Sequence, residues 1–129
     1  MQAKPVHQTD FIMVFRNILP TLMNLESIST EELNGILAQE HVHVFDMNDS
    51  LRWQQTHIPG AQNLDPNSFS ESDLKADKNS TLVFYCSNPM CRKAPNAAKK
   101  VKGMGFNDVR VLSAGITGWM SDGYELEAA

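Results

Sequence analysis

The sequence predicts a single α/β domain built around a largely parallel sheet. Short apolar runs alternate along the chain with segments of helical character, which is the pattern of a sheet covered by helices. The run TLVFY at 81–85 is continuously apolar and partly β-branched, as expected of a parallel-type strand that is buried on both faces. The chain has 129 residues and shows no repeat, low-complexity segment or interdomain linker, so it fits one domain.

The N-terminal part of the chain is predicted to be a helical extension. Residues 1–9 are polar, whereas residues 10–24 carry an apolar stripe of helical period that includes Phe11 and Phe15. We expect this helix to pack on the core of its own domain, and a homodimer contact through residues 10–24 is the alternative. We therefore divide the chain into an extension, residues 1–25, and an α/β domain, residues 26–129.

The elements of the first half of the domain follow from capping and turn signals. Ser29 and Glu32 form a capping box that predicts a helix in ISTEELNGILAQ. VHVFD at 42–46 predicts a short strand. A polar stretch and a Pro-Gly turn lead to a short apolar piece, and residues 65–80 read as a polar connector with one helical turn.

The second half continues with a strand, a helix, a strand and a closing turn. After the strand at 81–85, Pro95 suits the first turn of a helix predicted over 95–104, and Gly105 ends it. VRVL at 109–112 predicts another strand. The segment AGITGWMSDG then forms a turn or short helix.

Composition excludes some classes of partner. The formal charge of −4 and the pI near 5.5 argue against a nucleic-acid-binding protein, which normally presents a strongly basic face. The chain has no run of 18 apolar residues and no convincing signal peptide, so we expect neither a membrane partner nor export. The expected compartment is a reducing cytoplasm, where thiols stay free unless they do chemistry.

Both cysteines of the chain, Cys86 and Cys91, lie in the segment YCSNPMCRKAPNAA. Three uses are open at this point: a disulfide, a pair of metal ligands, or a nucleophile with a neighbour. The single C-x4-C pair has no second pair and no suitably spaced histidine, so we expect no metal. A disulfide on this loop would be a redox state rather than a structural cross-link.

The position of this segment favours nucleophilic chemistry at Cys86. It joins a buried strand to the start of a helix, where peptide N–H groups are unpaired and carry partial positive charge. Such a loop can cradle an anion and favour the thiolate over the thiol, and Arg92 and Lys93 add positive charge nearby. The competing interpretation is that Cys86 is a buried small hydrophobic residue after an apolar strand.

Three motifs in order give the chain a resemblance to rhodanese-like domains. The first is VFDMNDSLRWQQTHIPGAQNLD, in which Asp46 ends a strand and His57 precedes Ile-Pro-Gly-Ala. The second is TLVFYC, which resembles the family's active-site strand ending in the catalytic Cys86. The third is AAKKVKGMGFNDVRVLSAGITGW, similar to the closing helix, strand and Gly-x-x-x-Trp turn. The resemblance runs from about Ile28 to Leu126.

The resemblance implies a three-layer α/β/α rhodanese-like domain with a central, mostly parallel sheet, and a sulfurtransferase activity. Cys86 would take sulfane sulfur from thiosulfate or a persulfide donor and hold it as a persulfide. It would then pass the sulfur to cyanide or to a thiol, which could belong to a protein. The loop amides would stabilise the anionic persulfide, and no metal or organic cofactor is implied.

The sequence departs from the family pattern at three places. The active-site loop is one or two residues longer than usual. Its C-x5-R spacing from Cys86 to Arg92 matches cysteine-dependent phosphatases and arsenate reductases, although Pro89 lacks an N–H and Tyr85 stands where those phosphatases usually have histidine. Asn48 replaces a common arginine. A phosphatase, an arsenate reductase and a non-catalytic regulatory module are therefore the alternatives.

The candidate site combines a nucleophile, a loop and two supporting residues. Cys86 is the nucleophile, and His57 and Asp46 are expected to hydrogen-bond and hold the neighbouring turn. The role of Cys91 stays open: it could attack a persulfide and release sulfide, protect Cys86 from over-oxidation, or only fill space. The substrate- and anion-binding loop is predicted to contain Ser87, Asn88, Met90, Cys91, Arg92 and Lys93.

Overall fold

A computed structural model of the chain describes Arg16, Ile18, Pro20 and residues 23–129. The predicted helix over residues 10–24, and the dimer contact assigned to it, lie for the most part outside the described residues. The strands are β1 (Glu26–Ser27), β2 (Val42–Asp46), β3 (Gln62–Asn63), β4 (Thr81–Tyr85) and β5 (Asp108–Val111). Within residues 23–129, the helices are α1 (Thr30–Ile36), α2 (Ser50–Gln55), α3 (Glu71–Leu74), α4 (Lys93–Gly103) and α5 (Gly115–Ser121).

The five strands form one parallel sheet in the order β1-β5-β4-β2-β3. The central strand β4 pairs with β2 from Val42↔Thr81 to Asp46↔Tyr85 and with β5 on its other edge. All five of its residues are buried. The continuous apolar run at 81–85 is therefore a strand covered on both faces, as its sequence predicts.

Helices cover both faces of this sheet, which makes three layers. Leu82 and Phe84 of β4 pack with residues of α4, including Ala98. Val83 and Tyr85 point to the opposite face and pack with residues of α1 and α5, including Trp119. This two-residue alternation along a buried strand confirms the predicted α/β/α class.

Most predicted elements are confirmed, with boundaries within two or three residues. Helix α1 begins with the predicted capping box, in which the Glu32 N–H donates to Ser29 Oγ (3.0 Å) and the Ser29 N–H donates to Glu32 Oε1 (3.2 Å). Helix α4 begins at Lys93, two residues before the predicted start. Gly105, with φ +96°, follows its end in a left-handed conformation that glycine adopts readily.

Two elements are missing from the sequence prediction. The edge strand β1 has only two residues, which is too short to show a period. Helix α2 lies in the polar stretch before the Pro-Gly turn, for which no element was predicted, and none of its residues is buried. Asp49 caps it by accepting from the Arg52 N–H (2.9 Å), and Trp53 Nε1–H donates to the Ala61 carbonyl (2.8 Å). Helix α2 is thus held by a cap and by side-chain contacts of Arg52 and Trp53 rather than by a buried apolar face.

Candidate active site

The candidate site lies at the carboxyl edge of the sheet between β2 and β4. From β2 the chain moves outward to β3, and from β4 it moves in the other direction to β5. Such a reversal opens a crevice outside the strand ends, which is where open α/β sheets bind ligands. The loop after β2 and the cysteine loop after β4 meet in this crevice.

Cys86 and Cys91 form a disulfide across the loop, with their Cα atoms 6.4 Å apart. Cys86 follows the alternation of β4, so its side chain lies on the α4 face with Leu82 and Phe84 and is only 3% exposed. Cys91 is half-buried and packs against the same apolar cluster. In this state neither sulfur is a free thiolate, and of the two residues Cys91 is the more accessible.

Asn88 shapes the loop between the two cysteines. Its side-chain oxygen accepts from the Met90 N–H (2.9 Å), and its carbonyl oxygen accepts from the Cys91 N–H (3.1 Å). These bonds form a turn that brings the chain back from Asn88 to Cys91. Two amides that the sequence suggested for anion binding are therefore occupied by the loop itself.

Other amides of the loop are open. In the described part of the chain, no acceptor pairs with the peptide N–H of Ser87, Asn88, Arg92 or Lys93. The first two follow Cys86 directly, and the last two stand at the start of α4. Unpaired N–H groups on both sides of one loop favour a bound anion or an anionic sulfur.

The start of helix α5 supports the cysteine loop from the opposite face. The Ile116 N–H donates to the Cys86 carbonyl (2.9 Å), and the Thr117 N–H donates to the Ser87 carbonyl (3.0 Å). Gly115 makes this approach feasible: a Cβ there would lie 2.6 Å from the carbonyl carbon and oxygen of Ser87, and φ is +67°. The Gly-x-x-x-Trp segment therefore places a helix start directly against the loop.

A second support comes from the loop after β2. Ser87 Oγ donates to Asn48 Oδ1 (2.8 Å) and accepts from Arg52 Nη1 (3.2 Å). Asn63 Nδ2 donates to the Asn48 carbonyl (2.8 Å) and holds that loop in turn. Asn48, which stands in place of the usual arginine, is thus a neutral partner of the cysteine loop. The positive charge that contacts Ser87 comes from Arg52, which sequence reasoning missed because α2 has no sequence signal.

Asp46 lies fully buried at the end of β2 and holds two neighbouring segments. Its carboxylate accepts from the Tyr85 hydroxyl (2.6 Å) and from the Asn48 N–H (2.8 Å). The same Tyr85 oxygen accepts from the Ile58 N–H (3.1 Å). Burial raises the pKa of Asp46, and the hydrogen bonds from Tyr85 and Asn48 oppose that rise. Burial and the nearby Asp46 charge raise the pKa of Tyr85, so its hydroxyl stays protonated.

His57 stands in the turn and is buried. Its ring stacks on Trp53 with centroids 4.5 Å apart, and Nδ1 lies 2.6 Å from the Trp53 carbonyl oxygen, which can only accept. Its backbone pairs with that of Glu127. Because the Trp53 carbonyl oxygen can only accept, the His57 tautomer with a proton on Nδ1 fits this contact. Both His57 and Asp46 anchor the turn, and they do so on the sheet face opposite the Cys86 side chain.

Arg92 and Lys93 are exposed, and neither makes an ion pair within the described residues. Beside them the crevice opens into a cavity of about 590 Å³ between the loop after β2, the loop after β3 and α4. Its lining includes Asn48, Lys93 and Lys100. The cavity adjoins the cysteine loop through Asn48, the partner of Ser87, and through Lys93, and its volume suits a small polar molecule.

Two further findings concern metals and membranes. Among Arg16, Ile18, Pro20 and residues 23–129, no three His, Cys, Asp or Glu side chains come together as a metal-ligand group. Over the same residues, no helix has the length and apolar character needed to cross a bilayer.

The fold and the site together define a class of protein: a three-layer parallel α/β domain with a cysteine loop where the strand order reverses. The family model of the rhodanese-like domain matches residues 29–122, and the chain belongs to that family. It is 30% identical over 98 residues to the thiosulfate sulfurtransferase GlpE of Pseudomonas savastanoi pv. phaseolicola, covering 76% of this chain and 90% of that protein.

Two other relatives extend the comparison. The probable adenylyltransferase/sulfurtransferase MoeZ of Mycobacterium tuberculosis is 34% identical over 79 residues, which is 59% of this chain and 19% of that protein. A Bacillus halodurans protein of known crystal structure superposes with a TM-score of 0.73 at 24% identity, covering 90% of this chain and 85% of that one. The named relatives support a sulfurtransferase, and the structural match supports the fold.

Proposed function

We propose that the protein is a sulfurtransferase in which the Cys86 thiolate accepts sulfane sulfur as a persulfide. Thiosulfate or a persulfide is the donor, and a thiol of a small molecule or protein is the acceptor, with cyanide as the assay acceptor. The observation that carries this proposal is the placement of Cys86 at the start of a loop with open amides on both sides. Those N–H groups favour the thiolate before the reaction and the persulfide anion after it.

The bond changes in the loading step are simple. The Cys86 thiolate attacks the outer sulfur of thiosulfate, a sulfur–sulfur bond forms, and sulfite leaves with the electrons of the bond that breaks. Reduction of the Cys86–Cys91 disulfide must come first, because a bonded sulfur cannot attack. A reducing cytoplasm, which we propose as the compartment, would keep the thiol available.

The alternative with the same nucleophile is a phosphatase or an arsenate reductase. The C-x5-R spacing favours it, since an arginine six residues after the cysteine can fold over a tetrahedral oxyanion. Three features of the loop weigh against it. Pro89 has no N–H, the amides of Met90 and Cys91 are bonded to Asn88, and the exposed Arg92 side chain makes no hydrogen bond to the loop within the described residues.

Intact-mass measurement separates these functions. Reduced Cys91→Ser protein, which has no second thiol to remove the sulfur, is incubated with thiosulfate, and we expect one added sulfur, about 32 Da, on the cysteine nucleophile. Cys86→Ser should gain no mass while keeping its fold by circular dichroism. A phosphate ester is tested in parallel. Hydrolysis of the ester without sulfur loading would favour the phosphatase, and no turnover with any donor would favour a regulatory module.

A further inference from the structure

We propose that Cys91 gives the protein a second activity, the reductive release of stored sulfane sulfur as hydrosulfide. The inference rests on the proposed function, because it begins from a persulfide on Cys86. Cys91 attacks that persulfide from within the same loop, and the disulfide seen in the structure is the product left on the protein. A transferase that waits for an external acceptor would need no such second thiol.

The geometry of the loop makes this attack feasible without a rearrangement of the sheet or of α4. The Cα atoms of Cys86 and Cys91 are 6.4 Å apart, within the usual range for bonded cysteines. Cys86 is fixed by the end of β4 and by the bond from Ile116, whereas Cys91 is positioned by the turn at Asn88. Each cysteine is therefore held by a different support, with its sulfur directed at the other.

The chemical step balances without an outside oxidant. The Cys91 thiolate attacks Sγ of Cys86, the bond between Sγ and the outer sulfur breaks, and that sulfur leaves with the electron pair. It takes up a proton and departs as hydrosulfide, and the Cys86–Cys91 disulfide remains. The sulfane sulfur is reduced and the two cysteines are oxidised by the same two electrons.

The loop favours this step over transfer to an external thiol. A thiol five residues away acts at a high effective concentration, whereas an external acceptor must diffuse into the crevice. The N–H groups of Ser87 and Asn88 face no acceptor among the described residues and can stabilise the departing sulfur anion.

A dithiol reductant closes the cycle. Cys86 is 3% exposed, whereas Cys91 is half-buried, so a reductant thiolate attacks Cys91 and releases Cys86. The second thiol of the reductant then frees Cys91. In the overall reaction, thiosulfate and a dithiol are converted to sulfite, hydrosulfide and the oxidised dithiol.

A single-turnover experiment tests the inference. Wild-type protein is reduced, desalted without oxygen and mixed with thiosulfate in the absence of any other thiol. We expect one equivalent each of sulfite and hydrosulfide, and a protein mass about 2 Da below the reduced form, as for a new disulfide. Cys91→Ser should release sulfite, lose hydrosulfide release, and keep the added sulfur, about 32 Da.

The controls separate failure of this inference from failure of the proposed function. Cys91→Ala replaces Cys91→Ser if the serine disturbs the loop, and Met120→Ser, at an exposed methionine on α5, should behave as wild type. A wild-type protein that keeps the added sulfur and releases no hydrosulfide overturns the inference and leaves the proposed function standing. Equal hydrosulfide from wild type and Cys91→Ser also overturns it. No sulfite from any variant overturns the proposed function and the inference together.

Discussion

The contact between Gly115 and the cysteine loop leads to a quantitative prediction for Gly115→Ala. A Cβ at this position would lie 2.6 Å from the carbonyl carbon and oxygen of Ser87 and 2.7 Å from the Asn88 nitrogen. These are backbone atoms, which cannot rotate away, so we expect an overpacking cost of about 1–3 kcal/mol. The positive φ of +67° adds about 1–2 kcal/mol for any residue with a Cβ.

Gly123→Ala is the matched control for this prediction. Gly123 has a φ of +83°, but a Cβ there would meet nothing within 4 Å. The control therefore carries only the conformational cost, about 1–2 kcal/mol, whereas Gly115→Ala should lose about 2–5 kcal/mol in total. A domain of this size is stable by about 5–15 kcal/mol, so both variants should still fold.

Urea unfolding and sulfur loading together provide the assay. We expect the free energy of unfolding to fall further for Gly115→Ala than for Gly123→Ala, with unchanged slopes. The rate of sulfite release from thiosulfate should fall only for Gly115→Ala, because only that change displaces the backbone that carries Cys86. Equal stability losses and equal loading rates in the two variants would refute a supporting role for α5.

Three further predictions concern buried groups and the second thiol. Tyr85→Phe leaves the Asp46 carboxylate and a turn N–H without their partner, so it should cost about 2–5 kcal/mol of unfolding free energy. Tyr124→Phe should cost little, since no hydrogen bond to its hydroxyl is present among the described residues. Because burial raises the pKa of Asp46, its contribution to stability is greatest below its unfolded pKa and falls as pH rises through the folded pKa. The difference in free energy of unfolding between wild type and Asp46→Asn should therefore decline over that pH range and then level off. A difference that does not change with pH would contradict a buried carboxylate at this position. In the Cys91→Ser protein, peroxide should oxidise Cys86 irreversibly faster than in wild type. An unchanged rate of Cys86 oxidation would exclude a protective role for Cys91.

Much of the fold could be predicted from sequence because its signals are local. The apolar run of β4, the capping box of α1 and the glycine after α4 each depend on a few neighbouring residues. Helix α2 and strand β1 could not be found in this way. The first has no buried residue and the second has two residues, so neither carries a hydrophobic period.

The position of Cys86, the proposed nucleophile, could be predicted because it follows a continuous apolar run, whereas the contacts that support its loop could not. The bonds of Ser87 to Asn48 and Arg52 join residues 39 and 35 positions apart, respectively, and the chain shows no pattern for them. The same holds for the turn in which Asn88 occupies two loop amides, since that depends on side-chain rotamer and backbone path.

The central claim is that Cys86 is the sulfur atom that receives sulfane sulfur. Tandem mass spectrometry of the Cys91→Ser protein after reaction with thiosulfate tests it most directly, because that variant retains the loaded sulfur for localisation. We predict an added sulfur of about 32 Da on the peptide at Cys86 and none elsewhere. An unmodified Cys86 in a protein that has released sulfite, or sulfite release that persists in Cys86→Ser, would contradict the claim.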